Sequence, residues 1–95
     1  EAIKDFSMVI QIDPGQAEAY FNRGNAYYRL EDFDPALKDY NKVTVIDPKN
    51  ATAYFNMEII YTKLGEDEKA VSNFKKASSL GLKRADDHLK QKNIN

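Results

Sequence analysis

The side chains able to do chemistry gather in three acidic clusters, Asp32/Asp34, Glu66/Asp67/Glu68 and Asp86/Asp87, and in one histidine, His88. Two carboxylates do acid–base work when a pocket drives their pKa values apart. These clusters instead stand where helices are expected to begin, and negative charge there is favoured by the exposed amide groups of the first turn. Capping is their expected role. His88 lies between Asp87 and Leu89 with no second ligand nearby, which makes it a surface histidine. The chain has no cysteine, so disulfides, thiol nucleophiles and cysteine metal sites are excluded. No catalytic, metal-binding or cofactor-binding residue is expected, no cofactor, and no enzyme. Asn50-Ala51-Thr52 matches a glycosylation acceptor, but it coincides with an expected helix start. Lys83, Arg84, Lys90 and Lys92 form a small basic cluster diluted by Asp86 and Asp87, and it reads as a solvated face.

The charge balance narrows the partners. Fourteen Lys plus Arg stand against 15 Asp plus Glu in 95 residues, a net charge of −1. That lacks the positive excess that neutralises phosphates or holds a chain to anionic lipid, so neither nucleic acid nor membrane is expected. No apolar run approaches the roughly 20 residues of a membrane span. The start Glu1-Ala2-Ile3-Lys4-Asp5 is neither a signal peptide nor an initiator methionine, so the expectation is a piece of a longer protein or the product of a processing cut. The expected location is cytoplasmic. A chain this short is one domain with a shallow core.

The elements that position these residues repeat. Residues 13–46 align with 47–80 at an offset of 34 without a gap, and eleven pairs are identical, among them Pro14/Pro48, Tyr20/Tyr54, Phe21/Phe55, Asn22/Asn56, Tyr27/Tyr61, Leu30/Leu64, Ala36/Ala70 and Lys42/Lys76. Chance at ordinary residue frequencies gives about two. The opening residues join the pattern, because Ala2, Lys4, Asp5, Val9 and Ile12 recur as Ala36, Lys38, Asp39, Val43 and Ile46. The chain therefore opens halfway through a repeat.

Each unit reads as two helices. Tyr20, Gly24, Tyr27 and Leu30 fall on one helical face, and Ala36, Tyr40 and Val43 on another. Asp13-Pro14-Gly15 and Asp47-Pro48-Lys49-Asn50 punctuate between units, with Asn50 placed to cap the next helix. Leu30-Glu31-Asp32 and Leu64-Gly65-Glu66 make the turns within units, Gly65 suiting a left-handed C-cap. Helices are predicted near 1–12, 17–30, 33–46, 51–64, 67–80 and 84–92, and strand signals are absent.

The period and the series Tyr20-x2-Arg23-Gly24-x2-Tyr27, Ala36-x3-Tyr40 and Pro48 resemble the tetratricopeptide repeat; the second unit supplies Tyr54, Met57, Tyr61, Ala70, Phe74 and Ala77. The resemblance implies an all-α fold of antiparallel helix hairpins stacked as a right-handed superhelical solenoid. Its expected parts are the second helix of a partial repeat over 1–12, repeats over 17–50 and 51–82, and a capping helix and tail over 84–95. Glu58 takes the glycine position of the second unit, which predicts a tilted helix pair or a carboxylate reaching a lysine at the edge.

The resemblance further implies that the first helix of each pair lines a concave groove. Off the core face lie Glu18, Phe21, Asn22, Asn25, Tyr28 and Arg29, and in the next unit Thr52, Phe55, Asn56, Ile59, Thr62 and Lys63. A carboxamide offers a donor and an acceptor together, so asparagines one repeat apart suit the backbone of an extended peptide. The alternative is that Asn22 and Asn56 bridge helices and that Phe21 and Phe55 are packing residues. Some members of the family hold a C-terminal carboxylate with lysines or arginines and asparagines. Asn25 and Asn56 match that pattern and Lys90 stands for a basic residue, but Phe21 and Asp86 occupy lysine positions, so the clamp is incomplete. The function expected is a protein–protein interaction module for an extended peptide or helix of a partner. The competing expectation is a structural module that associates with itself through Ile3, Phe6 and Ile10 of helix 1, whose apolar surface is wider than one stripe.

Overall fold

The computed structural model describes residues 2–81. Along them run α1 (Ala2–Ile12), α2 (Ala17–Arg29), α3 (Phe33–Ile46), α4 (Ala51–Lys63) and α5 (Asp67–Ser79). Among the described residues every regular element is a helix. The helix expected over 84–92, with His88, Asp86, Asp87 and the basic cluster, lies outside them.

Helices α2, α4 and α5 stop one residue before the sequence pattern suggests, at Arg29, Lys63 and Ser79. Leu30, Leu64 and Leu80 are their C-caps, and the next residue in each case turns left-handed: Glu31 at φ 59°, Gly65 at 76° and Gly81 at 84°. At the first two ends the amides that follow return to the helix. Glu31 N donates to the Tyr28 carbonyl and Asp32 N to that of Tyr27, both at 2.9 Å, while Gly65 N and Glu66 N do the same to Thr62 and Tyr61. This paired closure satisfies carbonyls that a helix end would otherwise leave bare. At the start of α4, Asn50 Oδ1 accepts the Ala53 amide at 3.0 Å, so the expected cap is made.

The chain divides into two units, Glu1–Pro48 and Lys49–Asn95. In the first, α2 and α3 form an antiparallel hairpin, because Tyr28 near the end of α2 meets Phe33 at the start of α3 while Tyr20 at the start of α2 meets Lys42 near the end of α3. Ala36, Tyr40 and Val43 are fully buried. A Cβ at Gly24 would stand only 3.0 Å from Tyr40 Cε1 and 3.3 Å from Asp39 Cβ, so the glycine lets the two backbones close on the tyrosine ring. In the second unit α4 and α5 form the equivalent hairpin around Phe55, Phe74 and Ala77, with Lys76 over the Tyr54 ring and Lys69 over that of Tyr61.

An ion pair ties the first unit together. Arg23 donates from Nε and Nη2 to the two carboxylate oxygens of Asp39 at 2.8 and 2.7 Å, and from Nη1 to Ser7 Oγ at 3.1 Å. The Ser7 hydroxyl in turn donates to the Ile3 carbonyl. One guanidinium on α2 therefore joins α1 to α3. The bond to Asp39, with the charge of that carboxylate, raises the Arg23 pKa further above its usual value against the opposing effect of burial.

Candidate peptide-holding surface

The residues expected to line a groove fall into two strips, one on each first helix. On α2, Glu18 and Arg29 are exposed, and Phe21, Asn22, Asn25 and Tyr28 are half-buried. Three of them are held from α3. The Phe21 ring lies tilted against Tyr40 with centroids 5.8 Å apart, Tyr28 meets Phe33 at 5.9 Å, and Asn25 Oδ1 accepts a hydrogen bond from the Tyr40 hydroxyl. Tyr40 thus fixes two neighbouring side chains of the strip at once. Asn22 projects one turn before Asn25.

On α4 the strip is less open. Phe55 is only 7% exposed, and its ring faces Phe74 at 6.3 Å, so it packs the α4/α5 hairpin instead of lining a surface. Ile59 lies against the same cluster. Thr52 and Asn56 are half-buried, and Thr62 and Lys63 are exposed. The two phenylalanines, identical in the repeat, therefore differ: Phe21 keeps part of its ring at the surface and Phe55 does not. The facing rings differ as well, since Phe74 stands opposite Phe55 where the first unit has Tyr40.

Glu58 does not reach out to an edge. It is 1% exposed, and Oε1 accepts the Thr62 hydroxyl at 2.7 Å along the same helix. Of the acidic clusters expected to be caps, Asp32/Asp34 and Glu66/Asp67/Glu68 sit exposed at helix starts, where neither Asp32 nor Glu66 makes a side-chain capping bond and Glu66 instead pairs with Lys69 at 3.3 Å. No group of His, Cys, Asp and Glu able to hold a metal occurs among the described residues, and no helix there is long and apolar enough to cross a membrane.

Helix α1 differs from the expectation in which side chains it leaves bare. Ile3, Phe6 and Ile10 are half-buried, on the side where Ser7 meets Arg23 of α2 and Ile3 shares a crevice with Ala26. The exposed apolar residues are Met8, Val9 and Ile12, the last at 82%. No residue of α1 is buried. The offset of 34 was the available signal, because Val9 aligns with Val43, a residue that needs a covering helix.

Hairpins of this size, with a small residue at the close approach and aromatic residues around it, define a helical-repeat protein. Family models described as tetratricopeptide repeat match residues 17–50 and 51–80, and one described as TPR repeat matches residues 1–31. The chain belongs to the tetratricopeptide-repeat family, a family of protein–protein interaction modules with an all-α helix-hairpin solenoid fold. Among solved structures it is similar to a crystal structure of MamA, at 30% identity over 88% of this chain and 49% of that one, with a TM-score of 0.82. It also resembles the first and second TPR of Spaghetti (RPAP3), each bound to the HSP90 peptide SRMEEVD. The identities are 23% and 24%, the coverages 94% and 82% of this chain and 72% of each of those, and the TM-scores 0.84 and 0.78. The chain spans about half the length of the MamA structures it matches. No curated protein matches its sequence.

Proposed function

We propose that the chain is a non-catalytic module that holds an extended peptide of a partner protein, with the first helix of each repeat, α2 and α4, offering it a strip of side chains. The observation that carries this reading is the asparagine at the same repeat position in each unit, Asn22 and Asn56, half-exposed and off the core face. A peptide backbone presents an amide hydrogen and a carbonyl, and a carboxamide answers both. Around Asn22 the neighbours are pre-positioned, Phe21 and Asn25 by Tyr40, so little side-chain entropy remains to be lost there on binding. Phe55, buried, supports the strip from beneath. Two structures of similar fold hold a peptide, which makes such a use of this architecture physically reasonable.

The test is a selection of short random peptides on the full chain, followed by affinity measurements on Asn22→Ala, Asn56→Ala and the double variant. Each carboxamide contributes about 1 kcal/mol, so the double variant should lose about 30-fold in affinity with its helical circular dichroism unchanged. Equal affinity for wild type and double variant would sink the reading. The peptide SRMEEVD is expected to bind no tighter than about millimolar, since Phe21 holds a position where a lysine would pair with the carboxylate.

A second reading is favoured by Met8, Val9 and Ile12: α1 is an association surface, and the chain works within a larger assembly.

A further inference from the structure

On the side of α2 away from the strip, a second surface gathers cations. Tyr20 and Arg23 lie roughly 160° around the helix from Asn22 and Asn25. Opposite them on α3, Lys38, Asn41, Lys42 and Val45 follow at steps of three, one and three, a single stripe of that helix. Together with Asp39 these residues line an open crevice of about 360 Å³. The one carboxylate among them, Asp39, is buried and holds Arg23 through both its oxygens. Arg23 still has N–H groups unused, because a guanidinium carries five and Asp39 and Ser7 take three. The Tyr20 ring draws two cations at once, Arg23 Cζ at 5.8 Å from its centroid and Lys42 Nζ at 5.9 Å. Lys38 and Lys42 are exposed, and among the described residues neither forms an ion pair and the Asn41 carboxamide forms no hydrogen bond. Three cations and one carboxylate leave the crevice at +2. In the second unit Ser72 replaces Lys38 and Met57 replaces Arg23, so only Lys76 over the Tyr54 ring corresponds.

We propose that this crevice binds a phosphorylated serine or threonine of a partner protein. A phosphate monoester brings a charge of about −2 and three acceptor oxygens, enough for one group to meet both lysines, Asn41 and the unused guanidinium donors. A carboxylate brings half that charge and one oxygen fewer. Val45, exposed one turn beyond Lys42, offers an apolar neighbour of the phosphorylated residue a place to rest, which a free phosphate would not use. Every lining residue belongs to α2 or α3, so the site is separate from the peptide strip and stands or falls without it.

The probe is a blocked tripeptide of leucine, phosphoserine and leucine, titrated into the full chain labelled with 15N at a pH well above the phosphate pKa of about 6. Versions with serine or glutamate at the centre, and inorganic phosphate alone, are the comparisons. Saturable shifts are expected on Tyr20, Arg23, Lys38, Asn41, Lys42 and Val45, and none from the serine version. Lys38→Gln and Lys42→Gln, both at exposed positions, should each weaken binding about fivefold or more. Lys76→Gln, which removes the same charge from the second unit, should weaken it less than about twofold. Affinity should fall as the pH drops through about 6, where the phosphate gains a proton and the lysines keep theirs. Absence of saturable shifts, shifts centred on other residues, or equal losses from Lys42→Gln and Lys76→Gln each overturns the proposal. So does a glutamate version that binds as tightly, which would make the crevice a site for acidic segments. Inorganic phosphate binding as tightly as the tripeptide overturns it too, because the ligand would then be a small phosphate and not a protein.

Discussion

Glu31 adopts a left-handed backbone, at φ 59°, that its equivalent one repeat later, Gly65, adopts without a side chain to obstruct it. A non-glycine residue there costs about 1–2 kcal/mol, partly offset because glycine gives the unfolded chain more freedom. Glu31→Gly should therefore stabilise the fold by about 0.5–1 kcal/mol, read as a higher denaturation midpoint at unchanged slope. Gly24→Ala should do the reverse. Its new methyl meets a fully buried ring at 3.0 and 3.2 Å, an overpacking of about 1–3 kcal/mol against which alanine's better helix propensity returns about 1. Asn50→Ala removes a made cap and should cost about 1 kcal/mol in the same assay. At this scale the sequence was informative where the chemistry is local. Asn50 as a cap and Gly65 as a left-handed terminus follow from each residue's own backbone preferences. The burial of Glu58 and the choice between surface and packing for Phe55 were not legible, because they depend on what the neighbouring turn and helix present, Thr62 in one case and Phe74 in the other.

Among elements, the Arg23–Asp39 pair sets how α1, α2 and α3 sit together. The second unit holds Met57 and Asn73 at the equivalent positions, so the hairpin alone does not need the charges. Removing one partner is another matter. The Asp39 side chain is 4% exposed, and Arg23→Met would leave its carboxylate uncompensated, at about 3 kcal/mol. Arg23→Met with Asp39→Asn, which copies the second unit, should cost about 1 kcal/mol or less, so that with the cost of Asp39→Asn alone added the double-mutant cycle of denaturation midpoints should give a coupling of at least about 2 kcal/mol. Because the Arg23 pKa is raised, what it contributes is present below the group's ordinary value and is lost only as pH rises through the higher folded value. Its charge is thus constant across any neutral or mildly alkaline titration. The helices themselves were legible because proline and asparagine punctuate them between units and leucine closes them within. The partnership of Arg23 with Asp39 was not, since 16 residues separate them and nothing in either residue names the other.

Across the whole molecule, burial is uneven. Helix α3 contributes Ala36, Asp39, Tyr40 and Val43 to the interior and α1 contributes none. Amide exchange should follow, with α1 losing protection about tenfold or more faster than α3, since it opens without exposing a buried core. The fold was legible at this scale through self-similarity, which eleven identities at one offset make plain. The candidate surface was legible only as a set of helical positions; how open each one is depends on packing, which turned Phe55 inward and shifted the bare part of α1 to Met8, Val9 and Ile12. The placement of the ion pair also bears on how such a gene can change its repeat number. The longest identical stretch shared by the two repeats, Ala19-Tyr20-Phe21-Asn22 and Ala53-Tyr54-Phe55-Asn56, lies upstream of both Arg23 and Asp39. Unequal crossing-over within it removes or duplicates the arginine and the aspartate together. A crossover at the shared leucines, Leu30 and Leu64, would separate them, and the longer product would join Met57 to Asp39 in one hairpin with a carboxylate inside and no cation to meet it. A gain at the first junction thus keeps each aspartate with its arginine, and a gain at the second does not.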